Sequence, residues 1–207
     1  MSRWLLRAAL VAATASAGIG GADAQSGSST PFATVPAPPK SFPLIGQPVP
    51  DTASYLLIAV AANDSVGVHA LLAANTSPDE SDEYGRTALI YAVMFDNVPI
   101  GQILVSDGAN LNIHDKLGKT ALHWAAERGS SEMLRLLIDA KATVDAQNLQ
   151  GLTPLMVAAS SGRAEMVRLL LQYHADPRKY DYTGHDAVDW AANYAAIARA
   201  LKVAAAR

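Results

Sequence analysis

The 207-residue chain contains no cysteine. Disulfides, thiol nucleophiles and sulfur-ligated metals are excluded together, so the fold must stand on packing alone. A basic patch is also missing: 16 lysines and arginines face 19 acids, a formal net charge of −3. Nucleic-acid phosphates have little to attract them, and nucleic acid is not an expected partner. Catalytic signatures are absent too. His69, His114, His123, His174 and His185 show no HExxH spacing. Serine pairs such as Ser160-Ser161 occur without a Gly-x-Ser-x-Gly elbow. The acidic run Asp79, Glu80, Asp82, Glu83 lacks the spaced ligands and glycine of a calcium loop and reads as a solvated face. The expectation is of no catalytic residue, no metal and no cofactor.

The first 50 residues divide in two. Arg3 and Arg7 precede an apolar stretch from Ala8 to Gly21, and Ala22-Asp23-Ala24 follows. Basic start, short apolar middle and A-x-A end predict a secretory signal peptide over 1–24, cleaved after Ala24. Its apolar stretch, broken by Gly18, Gly20 and Gly21, is shorter than the ~20 residues of a spanning helix, so no stable membrane insertion is expected. With no twin arginine and no lipobox cysteine, the simplest route is general secretion, into the periplasm if the source is bacterial. Without the leader the balance is 14 bases to 18 acids. Residues 25–50 hold seven prolines, from Pro31 to Pro50, and predict an extended Pro-rich linker.

Beyond residue 50 the chain repeats. Gly85, Gly118, Gly151 and Gly184 stand 33 residues apart. Three positions earlier come Asp82, Asp115, Asn148 and Asp181; seven and eight later come Ala92-Val93, Ala125-Ala126, Ala158-Ala159 and Ala191-Ala192. A fixed period of this length signals stacked units. In the unit 115–147, Asp-Lys-Leu-Gly supplies a turn, and Thr120 stands where a first helix should begin. Leu122, Ala125 and Ala126 give that helix a narrow apolar face, and Gly129 stops it. Met133, Leu134, Leu137 and Ile138 form the stripe of a second helix. The next unit starts its helix with Thr153-Pro154, an N-cap and a proline at the first position. One such unit cannot bury its stripe; its neighbours must.

The phrases Gly-Lys-Thr-Ala-Leu-His-Trp-Ala-Ala at 118–126 and Gly-Leu-Thr-Pro-Leu-Met-Val-Ala-Ala at 151–159 resemble the ankyrin repeat, in period, turn, helix start and double alanine, from about Asp82 to Trp190. The resemblance implies an all-α solenoid, a β-turn plus an antiparallel helix pair per repeat. About five units are expected: a degenerate cap at 51–81, repeats at 82–114, 115–147 and 148–180, and a C-terminal cap at 181–207 whose second connection is about two residues short. It also implies that His123 hydrogen-bonds between repeats, a role Ile90 and Met156 cannot take. A left-handed residue is implied after each second helix, where Gly108 fits but Lys141 and His174 stand in the other units. Trp124 and Trp190, in matching registers, are expected between helices.

A repeat stack offers a binding face, so the resemblance implies a non-enzymatic, monomeric protein-interaction module whose partner docks on the concave side. Carried over by position, the contact residues are Tyr84, Arg86 and Phe95 in the first full repeat. Lys116, Leu117, Lys119, Glu127 and Arg128 follow in the repeat 115–147, and Leu149, Gln150 and Leu152 in the repeat 148–180. Tyr182, His185 and Tyr194 complete the set. Two other functions remain open on the sequence: a small hydrolase-like enzyme or ligand binder on a helical scaffold, or an envelope tether acting through the Pro-rich segment.

Overall fold

The computed structural model describes residues 52–206; the expected leader, cleavage site and Pro-rich segment lie outside them. Among the described residues ten α-helices run in five consecutive pairs. They are α1 (Thr52–Ala61) with α2 (Ser65–Ala73), α3 (Ala88–Met94) with α4 (Val98–Ser106), and α5 (Ala121–Arg128) with α6 (Ser131–Asp139). Then come α7 (Pro154–Ser160) with α8 (Ala164–Gln172), and α9 (Ala187–Trp190) with α10 (Ala195–Ala205). Each first helix packs on the first helix of the next pair and each second helix on the next second helix, giving two layers in one stack. Among the described residues there is no strand, only an isolated antiparallel bridge between Ser81 and Thr87.

The helices begin and end where local chemistry dictates. Thr87 and Thr153 cap α3 and α7, each hydroxyl accepting the amide three residues on at 3.4 Å. Two series of left-handed residues end the helices. Asn63, Asp96, Gly129 and Gly162 follow the first helices; Asn75, Gly108, Lys141 and His174 follow the second. Both series keep the 33-residue period. Lys141 at φ 73° and His174 at φ 63° therefore sit in a conformation suited to glycine, as the ankyrin-like register requires.

The core lies between the layers and is itself periodic. Leu56, Leu89, Leu122 and Leu155 occupy one register of the first helices, all essentially buried. Leu104, Leu137 and Leu170 do the same for the second helices. Each contributes about 1.5–3 kcal/mol of apolar burial. Ala92, Ala125, Ala158 and Ala191 are fully enclosed, and their small side chains let adjacent first helices approach closely.

The last unit departs furthest from the pattern. Its first helix is a single turn, α9, and Ala191–Asn193 cross as a turn into α10. The missing residues explain this: Ala195, one period after Gly162, already begins α10, so no left-handed stop is available and α9 is shortened instead.

Candidate protein-binding face

Each turn is built around one carboxylate or amide side chain. The Oδ1 of Asp82, Asp115, Asn148 or Asp181 accepts the backbone amides two and four residues later, at 2.8–3.0 Å. This closes the turn and explains why the position tolerates Asp or Asn alike. The second oxygen of each Asp takes a donor nine residues on. Asp82 accepts the Tyr91 hydroxyl at 2.6 Å, Asp115 the Trp124 indole at 3.0 Å and Asp181 the Trp190 indole at 3.0 Å. In the fourth repeat Val157 stands in the aromatic's place, the side chain is Asn148, and its Nδ2 is buried without a partner. Acid and aromatic donor thus occur together and are absent together.

The turns are also tied to one another. Lys116 N donates to Tyr84 O at 2.9 Å, Leu149 N to Leu117 O at 3.3 Å and Tyr182 N to Gln150 O at 3.1 Å. Gly118, at φ 73°, faces the following turn so closely that a Cβ there would lie 2.4 Å from Leu149 N. A second ladder joins the loops after the second helices. Asp79, Asn112 and Asp145 accept the amides of Asn110, Thr143 and Asp176 at 2.7, 2.9 and 3.1 Å. The acidic run is therefore not simply a solvated face, since Asp79 and Asp82 both hold backbone amides. Sequence inspection missed this ladder, although its acceptors recur with the glycines.

His123 performs the expected linkage. Its Nδ1 accepts the Thr120 amide at 3.1 Å, and its Nε2–H donates to Leu152 O in the next repeat at 2.9 Å, which makes it the neutral Nε2–H tautomer. Burial pulls its pKa down to about 4, only partly opposed by the carbonyl. Burial, then the hydrogen bond to the Asp82 carboxylate and its charge, push the Tyr91 hydroxyl up to about 12. At Asp181 burial acts upward, but the Thr183 hydroxyl, the His185 and Thr183 amides and the Trp190 indole outweigh it and hold the carboxyl below the usual range.

Trp124 meets the expectation in part, packing against the core, whereas Trp190 does not lie between helices. Trp124 is half-buried and Trp190 is 37% exposed, each turned toward the turn by its bond to the aspartate. An indole N–H buried between helices would lack an acceptor, and the carboxylate at the turn supplies one. Trp124 anchors a row of cations and rings. Lys119 Nζ lies 4.5 Å from its centroid and pairs with Glu127 at 2.5 Å. The Arg86 guanidinium lies 5.6 Å from the Trp124 ring and 5.1 Å from that of Tyr84.

The carried-over positions fall on the turn tips and the ends of the first helices. Tyr84, Phe95, Leu117, Leu149, Tyr182 and Tyr194 are exposed there, Leu149 at 64% and Tyr182 at 72%. Lys116, Arg128, Gln150 and His185 are exposed; Arg86, Lys119, Glu127 and Leu152 are half-buried. Leu152 packs against the core. Arg128 donates through two nitrogens to Met94 O, so it also joins two repeats. Tyr194 lies over Gly162, within 2.5 Å of where a Cβ would stand.

Among the described residues no three acids or histidines gather at metal-ligating distance, and no helix is long and apolar enough to cross a membrane. Among the described residues a hollow of about 900 Å³ is an open groove of the second-helix layer between α8 and α10, lined chiefly by apolar residues such as Val167, Leu171 and Ile197. It shares no residue with the turn tips.

A family model for ankyrin repeats (3 copies) matches residues 56–148 and 140–205. No curated protein matches the chain. With this match spanning the whole helical stack, the chain belongs to the ankyrin repeat family, whose repeats are protein–protein interaction modules.

Proposed function

We propose that this is an exported, non-enzymatic protein that captures one protein partner on the face made by its turn tips and first helices. The observation that carries the reading is the row of large apolar side chains left exposed there. Tyr84, Phe95, Leu117, Leu149 and Tyr182 lie in consecutive repeats on one side of the stack. Leu149 lies over Gly118 and Tyr182 over Gly151, yet both stay largely exposed, and large aromatic side chains supply much of the energy of protein association. The two ladders of backbone bonds between turns and loops hold this surface in place before binding, so little ordering cost attends association. Export rests on the composition of residues 1–24, and the periplasm of a bacterial cell is the compartment proposed.

The test uses the mature chain as bait in extract from its own compartment. Tyr84, Phe95, Leu149 and Tyr182 replaced together by alanine should abolish recovery of the bound protein with an unchanged helical circular dichroism spectrum. Undiminished recovery would refute the face. Removal of residues 25–50 should leave recovery intact; its loss would favour the tether. N-terminal sequencing of the secreted protein should begin at Gln25.

A further inference from the structure

Among the described residues Arg86 and Lys116 are the cations of the face with neither an ion pair nor a carbonyl partner, and of the two only Arg86 is half-buried. Lys119 is paired with Glu127, and Arg128 is bonded to a carbonyl. Arg86 has the Tyr91 hydroxyl as a polar neighbour, on which its charge acts. Its Nε is buried and unpartnered, and the side chain as a whole is half-buried. The guanidinium is nevertheless held, with the rings of Tyr84 and Trp124 on either side at 5.1 and 5.6 Å. Of the two nearest carboxylates along the chain, Asp82 is engaged by two amides and the Tyr91 hydroxyl, and exposed Glu83 forms no ion pair with Arg86. A planar, oriented and unpaired guanidinium suits bidentate recognition of a carboxylate.

The charge of the surrounding face points the same way. Although the chain as a whole is acidic, the tips and first-helix ends of the second and third repeats carry Arg86, Lys116, Lys119 and Arg128 against Glu83 and Glu127. The corresponding positions of the fourth repeat, Leu149, Gln150, Leu152 and Ser160-Ser161, bear no charge. Those of the fifth are aromatic or neutral apart from His185. Asp186 and Asp189 of that repeat cap α9. Asp82, Asp96 and Asp115 also stand at the end formed by the second and third repeats but are engaged within the fold, by turn amides, a ring donor or the Ser130 hydroxyl. The charges left there without an ion pair or a carbonyl partner are Arg86 and Lys116 against Glu83, whereas the other end is apolar.

We propose that Arg86 anchors a carboxylate side chain of the bound protein. The partner segment places an aspartate or glutamate against the second and third repeats and apolar residues against the fourth and fifth. This rests on the interaction reading above and specifies its ligand: an acidic–apolar protein segment.

The test pans a displayed library of random twelve-residue peptides on the full chain and measures selected peptides by titration. The expected outcome is enrichment of peptides bearing an acid beside apolar residues. Arg86→Gln should weaken their binding at least tenfold, as should changing the peptide's acid to its amide, and the two changes together should cost little more than either alone. Should Arg86→Gln fail to fold, as judged by circular dichroism, the acid-to-amide peptide on the unaltered chain decides by itself. Peptides that lose binding to the Tyr84→Ala, Tyr182→Ala chain yet carry no acid, or that bind Arg86→Gln undiminished, overturn the carboxylate anchor and leave the interaction face standing. Failure to enrich any peptide, or enrichment indifferent to the two tyrosine replacements, overturns both.

Discussion

His123 is buried in its neutral form, and this gives stability a pH dependence of definite sign. Its pKa falls from 6.5 to about 4 on folding, so the unfolded chain binds the extra proton between those values. The contribution is complete above pH 6.5 and is lost as pH falls toward 4, about 3 kcal/mol in all. Denaturant titrations across that range should show the slope in the wild type, and His123→Met, the residue found one repeat later at Met156, should flatten it. Lys141 tests a backbone effect. At φ 73° a side chain beyond glycine is strained, so Lys141→Gly should raise stability by about 0.5–1 kcal/mol, read as a higher melting temperature. Both roles followed from sequence, because a single register identified them. The part played by Trp124 and Trp190 did not. A tryptophan in an alanine-rich helix reads as core, and only the fold shows its indole bonded to the turn aspartate nine residues earlier, with Trp124 still packed on the core and Trp190 exposed.

At the level of the element, the 33-residue spacing located helix starts and the left-handed stops after the second helices, since Thr, Pro and Gly impose local geometry wherever they occur. The loop ladder of Asp79, Asn112 and Asp145 went unseen for the opposite reason: its bonds join residues 31 apart, and nothing local marks an acceptor whose donor lies in the next repeat. The shortness of α9 was visible as two missing residues, but not which helix would yield. With a single turn, α9 depends heavily on its cap, where Asp186 accepts the amides of Val188 and Asp189 at 2.7 and 3.0 Å. Asp186→Ala should destabilise by about 1 kcal/mol. Hydrogen exchange should accelerate over 187–191 well before it does in α5 or α7.

For the whole molecule, stability is a sum over repeats and the interfaces between them. Gly118 sits at one such interface, where its positive φ and the 2.4 Å approach to Leu149 N leave no room for a methyl group. Gly118→Ala should destabilise by more than about 2 kcal/mol and, by uncoupling the third repeat from the fourth, broaden or split the denaturation curve. A single sharp transition at unchanged midpoint would contradict that coupling. The proposed binding face is likewise a property of the assembly. Its exposed apolar positions belong to four different repeats and become one surface only because consecutive turns are hydrogen-bonded tip to tip.

Period, turn chemistry and apolar spacing determined the stacked units and carried the resemblance to the ankyrin repeat, and that resemblance implied the linking histidine and the left-handed Lys141 and His174. Each of these depends on residues within one repeat or on exact recurrence between repeats. The tertiary structure alone decided which side chains reach solvent: that the tryptophans face the turns, that Arg86 is stacked between two rings without an acid, and that Asp79 and Asp82 serve the backbone. Those outcomes turn on distances between adjacent repeats. A pattern along the chain records that two residues are one period apart, but not which of their atoms meet.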